Sequence, residues 1–114
     1  MVEKIMLDYL SANLTVPVFM EEPTEDGLTA YVLIEKTGSS QTNHIPTATL
    51  AFQSYGESLY DAAVLNNTVK QVVFNAIQLD AISSVRLNSD YNFTDTTTKK
   101  YRYQALFVVT YLED

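Results

Sequence analysis

The sequence contains no cysteine and no tryptophan, and it has only one histidine, three glycines and three prolines. Without cysteine, neither a disulfide framework nor a thiolate metal site is possible. A single histidine also excludes paired-imidazole metal motifs such as His-x-x-x-His. Most conventional catalytic chemistry is therefore missing, so we expect no enzyme activity, no cofactor and no metal site.

Long hydrophobic runs are absent as well. No stretch approaches the ~20 consecutive apolar residues that span a bilayer. The first residues include Glu3 and Lys4 and show no apolar run ahead of a small-residue cleavage site. These features predict a soluble protein made in the cytoplasm, with no membrane partner.

Basic residues are scarce. Seven Lys and Arg stand against fourteen Asp and Glu, which gives a formal net charge of −7. Affinity for a phosphate backbone comes mainly from Lys and Arg, so direct sequence-specific nucleic-acid binding is not expected. The charge suits a protein that stays soluble before it joins an assembly, or a surface past which nucleic acid moves without sticking.

The 114 residues are the size of one ordinary domain, and residues 1–114 are predicted to form one. The longest predicted helix covers Ser58 to Ile77, where apolar residues recur at spacings of three and four. Its start is open between Ser54 and Ser58, each followed three positions later by an acidic residue. The weak helix formers from Asn66 to Thr68 leave a kink or a two-part helix open.

A shorter amphipathic helix is predicted from Val2 to about Asn13. Residue alternation and β-branched content predict strands, the first of them short, at Val18–Met20, Tyr31–Glu35, Thr47–Ser54, Ile82–Tyr91 and Tyr101–Leu112. Both faces of the last strand become apolar, which predicts a place inside the sheet. The predicted fold class is α+β, with a mostly antiparallel sheet of four to five strands packed by one long central helix and an N-terminal helix.

Two charged clusters are candidate contacts with a neighbouring subunit or another partner protein. The acidic cluster lies in the run from Glu21 to Gly27, predicted to be an exposed turn at a hairpin tip, and consists of Glu21, Glu22, Glu25 and Asp26. The basic cluster lies at the base of the predicted C-terminal hairpin and consists of Lys99, Lys100 and Arg102. Each cluster is either a solvated loop or a contact for an oppositely charged surface.

A polar stretch after Lys36 is predicted to be a mobile contact loop, and it consists of Thr37, Gly38, Ser39, Ser40, Gln41, Thr42 and Asn43. Lys36, Thr37 and Gly38 match an element of penicillin-recognising enzymes, but no Ser-x-x-Lys occurs, so the match is by chance. His44, beside this stretch, is interpreted as an ordinary polar residue.

Three segments resemble a family of small proteins from long-tailed bacteriophages: YVLIEKTGSS from Tyr31, ATLAFQSYGESLYDAA from Ala48 and LNSDYNFTDTTTKKYRYQA from Leu87. These are tail-terminator proteins, also described as tail-completion or minor structural proteins. The resemblance runs through most of the chain, and its motifs are structural, not catalytic. It implies an α/β fold with a mostly antiparallel sheet flanked by helices. It also implies a hexameric ring that sits on the last ring of the tail tube and stops tube growth.

The function expected from this resemblance is that of a non-enzymatic virion protein at the head-proximal end of the tail, made in the host bacterial cytoplasm. The implied partners are further copies in a hexameric ring, the tail tube protein and the head–tail connector protein. A ring needs a heterologous contact between unlike patches, and the acidic and basic clusters are the hypothesised patches. The stretch from Thr37 to Asn43 is expected to order on contact with the tube or a neighbour.

Two other interpretations stay open at this point. One is a head-side connector, the adaptor or stopper between portal and tail. The other is a monomeric or dimeric regulatory binding domain.

Overall fold

The residues that the structure describes, 1–24, 27–42 and 44–112, form two α-helices and a five-stranded, mostly antiparallel sheet. The structure is a computed structural model. Helix α1 is Val2–Asn13, and helix α2, Leu59–Phe74, continues into a 3-10 helix, Asn75–Gln78. The strands are β1 (Val18–Phe19), β2 (Tyr31–Thr42), β3 (Ile45–Gly56), β4 (Ile82–Asn92) and β5 (Tyr101–Tyr111). The predicted fold class is confirmed.

The strand order across the sheet is β1-β2-β3-β5-β4. The pairs β2–β3, β3–β5 and β5–β4 are antiparallel, and the short β1 is parallel to β2. Strand β5 has a neighbour on each side, which confirms its predicted place inside the sheet. No described helix is long and apolar enough to cross a membrane.

Both helices pack on one face of the sheet. Val2, Met6 and Leu10 project from α1 into the core. Ala62, Val69, Val73 and Ala76 of the predicted helical stripe are fully buried, whereas Leu59 and Ile77 at its ends are 40% and 49% exposed. Each large apolar side chain buried in this layer contributes ~1.5–3 kcal/mol to the free energy of unfolding. The helix-on-sheet core is therefore the main source of stability.

Helix α2 begins at the second of the two predicted caps. The Ser58 side chain accepts a hydrogen bond of 3.1 Å from the backbone N–H of Asp61, as an N-cap serine does. Ser54 instead lies buried within β3. The helix is continuous through Asn66–Thr68, and it tightens into the 3-10 helix only at Asn75.

The prediction of a loop from Thr37 to Asn43 is wrong for Thr37–Thr42, which continue β2 and pair with β3 as far as Thr42 and Ile45. Asn43 lies outside the described residues. Threonine is β-branched and fits a strand, and the hydroxyl groups of Ser40 and Thr47 meet across the pair at 2.6 Å. Backbone pairing does not require apolar side chains, so a polar strand was mistaken for a loop.

The prediction of a hairpin tip at the acidic run is also wrong. Strands β1 and β2 are parallel neighbours, so the segment between them must return along the sheet before β2 begins. Glu21 and Glu22 are exposed in this connection. Glu25 and Asp26 of the acidic cluster lie outside the described residues.

Candidate assembly surface

Glu22 of the acidic cluster and Lys100 of the basic cluster meet within one chain. The Nζ atom of Lys100 lies 3.4 Å from Oε1 of Glu22, and the two side chains are 55% and 49% exposed. An ion pair this exposed contributes little to stability. Because the two clusters adjoin each other on one subunit, their opposite charges no longer motivate a contact between them across two subunits.

The Arg102 side chain is held by contacts within the chain. Its Nε donates to the backbone oxygen of Phe93 at 2.7 Å, and its Nη1 donates to the Tyr55 hydroxyl at 2.8 Å. The guanidinium carbon also lies 4.4 Å from the centre of the Phe93 ring. These contacts hold the loop end of the β4–β5 hairpin against β3. Arg102 therefore has a different role from Lys99 and Lys100.

Lys99 lies in the turn that joins β4 to β5, with a left-handed backbone (φ 56°). The turn is held by Asp95, whose Oδ1 accepts from the backbone N–H of Thr97 at 2.9 Å. This hydrogen bond lowers the pKa of the Asp95 carboxyl below its usual value. The turn therefore presents Lys99 and Lys100 from a defined backbone.

An aromatic row crosses the sheet face that carries neither described helix. Tyr31, Tyr55 and Arg102 are register partners on β2, β3 and β5, and Phe19 of β1 and Phe93 beyond β4 extend the row on either side. The rings of Tyr31 and Tyr55 stack with centroids 4.3 Å apart and planes 12° apart. Such pairs add ~0.5–1.5 kcal/mol to what burial alone provides. We call this set the aromatic row.

The Tyr31 hydroxyl anchors the acidic connection to the aromatic row. It donates a hydrogen bond of 2.7 Å to Oε1 of Glu22. Burial, followed by this hydrogen bond, raises the pKa of Tyr31 well above its ordinary value. The phenol therefore remains a neutral donor at any physiological pH.

Two buried amides run beside the aromatic row. Nε2 of Gln53 donates to Oε1 of Gln104 at 2.8 Å, and the Tyr55 hydroxyl donates to Oε1 of Gln53 at 3.2 Å. Nε2 of Gln104 in turn donates to the hydroxyl of Tyr91. The two glutamines are only 6% and 7% exposed, so their connected hydrogen bonds fix this end of the sheet as a rigid polar surface.

Two clefts open beside Glu22. One of about 440 Å³ lies over Tyr55, Gly56 and the segment Lys99–Tyr101. The other, of about 550 Å³, lies over Leu33, Gln53, Arg102 and Gln104. Tyr55 lines both clefts, and Arg102 lines the second. Aromatic residues and arginine are enriched at protein interfaces, so the clefts are candidate contacts for another protein.

Within the described ranges, no group of three His, Cys, Asp or Glu side chains could hold a metal ion. His44 lies in the β2–β3 turn, at the opposite end of β2 from both clefts.

Sequence reasoning placed Glu22, Lys100 and Arg102 in candidate sites but missed Tyr31 and Tyr55. These two tyrosines are far apart in the sequence, and only strand register brings them together. The signal available was alternation: Gln53 and Tyr55 share the face of β3 opposite Phe52 and Ser54. Alternation shows which residues of one strand share a face, but it does not identify the neighbouring strand, so it does not predict the contact between Tyr31 and Tyr55.

No protein-family model matches the chain, and no curated protein sequence matches it.

Proposed function

We propose that this protein is a non-enzymatic structural protein of a phage virion, a tail terminator. Copies of it form a ring that caps the head-proximal end of the tail tube, stops tube growth and provides the surface to which the filled head joins. The observation that carries the proposal is the order of elements: a helix, strands, a long helix and a C-terminal hairpin, in a mostly antiparallel sheet. That order is the one the resemblance to tail terminators implies.

The placement of the exposed polar surfaces supports a subunit with different partners above and below. The aromatic row lies where β2 begins, and the other end of β2 pairs with Ile45 of β3. The twelve residues of β2 place its two ends roughly 35–40 Å apart. In a ring whose axis follows the strands, one end meets the tail tube protein and the other meets the head–tail connector protein.

Tail length tests the proposal. An early stop codon in this gene is expected to give overlong, headless tails by negative-stain electron microscopy, because nothing ends tube polymerisation. Tails of normal length beside filled, tailless heads would instead assign the protein to the head-side connector. Normal infectious virions would overturn both assignments.

The surface formed by Glu22, Lys99 and Lys100, which we call the charged end, is tested by the double variant Lys99→Glu, Lys100→Glu. This change reverses the two lysine charges beside Glu22 and is expected to reduce attachment of the ring to the tail tube or to the head, while leaving the folded protein intact. Lys4→Glu on the exposed side of α1 is the matched control, because Lys4 contacts only Asp8 of its own helix among the described residues. Full complementation by the double variant would show that the charged end makes no essential contact.

A further inference from the structure

At both edges of the sheet, backbone N–H and C=O groups have no partner strand among the described residues. Strand β1 pairs only with Val32 and Leu33, so no described strand pairs with the outer side of β2 beyond them. Strand β4 pairs only with β5 among the described strands. Unpaired edges readily accept another strand, and proteins usually shorten, cover or distort them.

Bulges divide each edge into short regular segments. On β2 the pairing is regular from Tyr31 to Lys36 and, beyond a bulge, from Gly38 to Thr42. On β4 it is regular from Ser84 to Leu87, between two bulges. Proline, which would block pairing, is absent from these stretches. An added strand that keeps a regular ladder therefore pairs with one such short segment at a time.

Hydrogen-bond alternation shows which residues of β2 face outward. The N–H of Val32 donates to the backbone oxygen of Pro17, away from β3, at 3.0 Å. Successive residues of a strand direct their backbone groups to opposite sides. Ile34 and Lys36 therefore also face outward, and Glu35 directs its backbone groups toward β3.

Hydrogen-bond alternation also shows which residues of β4 face outward. Just beyond β4, the backbone N–H of Phe93 donates a hydrogen bond of 2.9 Å to the backbone oxygen of Arg102 on β5. Arg102 therefore belongs to a hydrogen-bonded pair. Every second residue of β5 from there, including Val108, is then the hydrogen-bonded partner of β4. Arg86 is the register partner of Val108, so its backbone groups face β5. Val85 and Leu87 face outward.

We propose that β4 of one copy of this chain adds to β2 of the next, with Glu35 opposite Arg86. Within one sheet β2 and β4 run in opposite directions, because the pairings β2–β3, β3–β5 and β5–β4 are all antiparallel. A β4 that continues the sheet beside β2 is therefore antiparallel to it. In this register the outward-facing residues coincide: Ile34 exchanges backbone bonds with Leu87, and Lys36 with Val85.

The charges at the central position are complementary. Glu35 and Arg86 are both exposed, and both lie on the sheet face opposite the helices. Neither forms an ion pair within the described part of the chain. They occupy a non-hydrogen-bonded pair, the kind in which facing side chains approach most closely.

The helix layer supplies a second contact beside the edge at β4. Asn66 and Lys70 of α2 both contact Asp90 of β4, so this flank of the helix overhangs the edge strand. Phe74 and Ile77 continue the same flank at helical spacing, and they are 39% and 49% exposed. Large apolar side chains beside an open edge are what a packed neighbour would cover.

The opposite edge carries a matching apolar side chain. Glu3 of α1 reaches Lys36 of β2 at 3.7 Å, which places that flank of α1 over the β2 edge. Leu7 lies one turn further along the same flank and is half-buried. Continuing the sheet would bring Leu7 of one copy toward Phe74 and Ile77 of the next.

The contact joins two different surfaces, so it is heterologous and forms a closed ring or an open chain. Its closure into a ring rests on the proposed function, whereas the pairing of β2 with β4 does not.

Disulfide trapping tests the register directly, because the chain has no cysteine of its own. Glu35→Cys and Arg86→Cys are introduced together in the full chain, which is oxidised at millimolar concentration and run on a non-reducing gel. A non-hydrogen-bonded antiparallel pair has the Cβ separation that a disulfide accepts. We expect a ladder of dimers, trimers and larger species, because each chain carries both halves of the contact.

Two controls separate this contact from random collision. The two single variants mixed together should give mainly the mixed dimer, and each alone should give little product. Glu35→Cys with Asn88→Cys moves one thiol along the same strand to an exposed position at the bulge. It should give several-fold less ladder than the matched register.

Absence of a ladder from the folded double variant, or an equal ladder from the Asn88 control, would overturn the pairing. A ladder together with normal tails in the stop-codon phage would keep the pairing and reject the tail terminator. Overlong tails without a ladder would keep the tail terminator and reject the pairing of β2 with β4.

Discussion

The side-chain amide of Asn66, in the middle of α2, donates a hydrogen bond of 2.7 Å to Oδ1 of Asp90 on β4. Lys70, one turn along the helix, contacts the other carboxylate oxygen of Asp90. Asn66 is 2% exposed, and its side-chain oxygen Oδ1 has no hydrogen-bond partner among the described residues. One carboxylate thus ties the long helix to the edge strand.

Asp90→Ala is expected to destabilise the protein by about 1–3 kcal/mol, because it leaves the buried Asn66 amide without an acceptor. Adding Asn66→Leu should recover part of that loss, since the orphaned donor is then gone. A double-mutant cycle measured by urea unfolding checks this. Lys70→Met is the matched control and should cost less, because it removes only the charged partner. Strict additivity would show that Asn66 and Asp90 are not coupled.

Two serine-to-alanine changes should affect the free energy of unfolding differently. Ser58→Ala removes the N-cap of α2 and should cost about 1 kcal/mol. Ser54→Ala removes a fully buried hydroxyl that has no hydrogen-bond partner among the described residues, so stability should stay level or rise by up to about 1 kcal/mol. Thermal and urea unfolding of the two variants side by side measure the difference. An equal loss for both would mean that the Ser54 hydroxyl has a partner.

Gly56 is required by close packing at the start of α2. A Cβ at this position would lie 2.6 Å from the backbone nitrogen of Ala62 and 2.9 Å from the backbone carbon of Asp61. Gly56→Ala must therefore shift the helix and should cost about 1–3 kcal/mol. Gly38→Ala is the matched control, because nothing lies within 4 Å of a Cβ there. A shift in the urea midpoint for Gly56→Ala alone is the expected result, and equal midpoints would contradict the packing argument.

The Tyr31 phenol should make stability depend on alkaline pH. Its pKa in the folded protein is raised by burial and by Glu22, whereas the unfolded phenol titrates near its ordinary value of about 10. The stabilising contribution is fully present below pH ~10 and is lost as pH rises above it, because only the unfolded state then releases the proton.

Tyr31→Phe removes this dependence. The stability advantage of the natural protein over the variant should shrink between neutral pH and pH ~11 in urea unfolding. Tyr60→Phe is the control, since Tyr60 is 76% exposed. A constant difference between natural protein and Tyr31→Phe across that range would show that the folded phenol titrates normally.

Much of the fold was predictable because its elements are defined by local periodicity. The buried positions of α1 follow the spacing of Val2, Met6 and Leu10 in the sequence. The C-terminal strands β4 and β5 match the predicted segments within one or two residues. A 3.6-residue or two-residue pattern of apolar side chains suffices for these elements, since each one buries a single face.

The candidate surface was predictable only in part. Glu22, Lys100 and Arg102 stand out as charges in polar segments, but their partners do not. Arg102 binds Tyr55, and Glu22 binds both Tyr31 and Lys100. Each of these contacts joins two different segments of the chain, so the composition of either segment alone does not predict it.

The sequence by itself determined the helices, most of the strands and the acidic charge, because side-chain spacing and composition act over a few residues. The tertiary structure decided that Thr37–Thr42 form a strand, that β1 runs parallel to β2, and that Tyr31 stacks on Tyr55. It also decided which backbone edges stay open. These properties depend on which strand lies beside which and in what register, and the free energy that selects a register comes from burying one face of the whole sheet under α1 and α2.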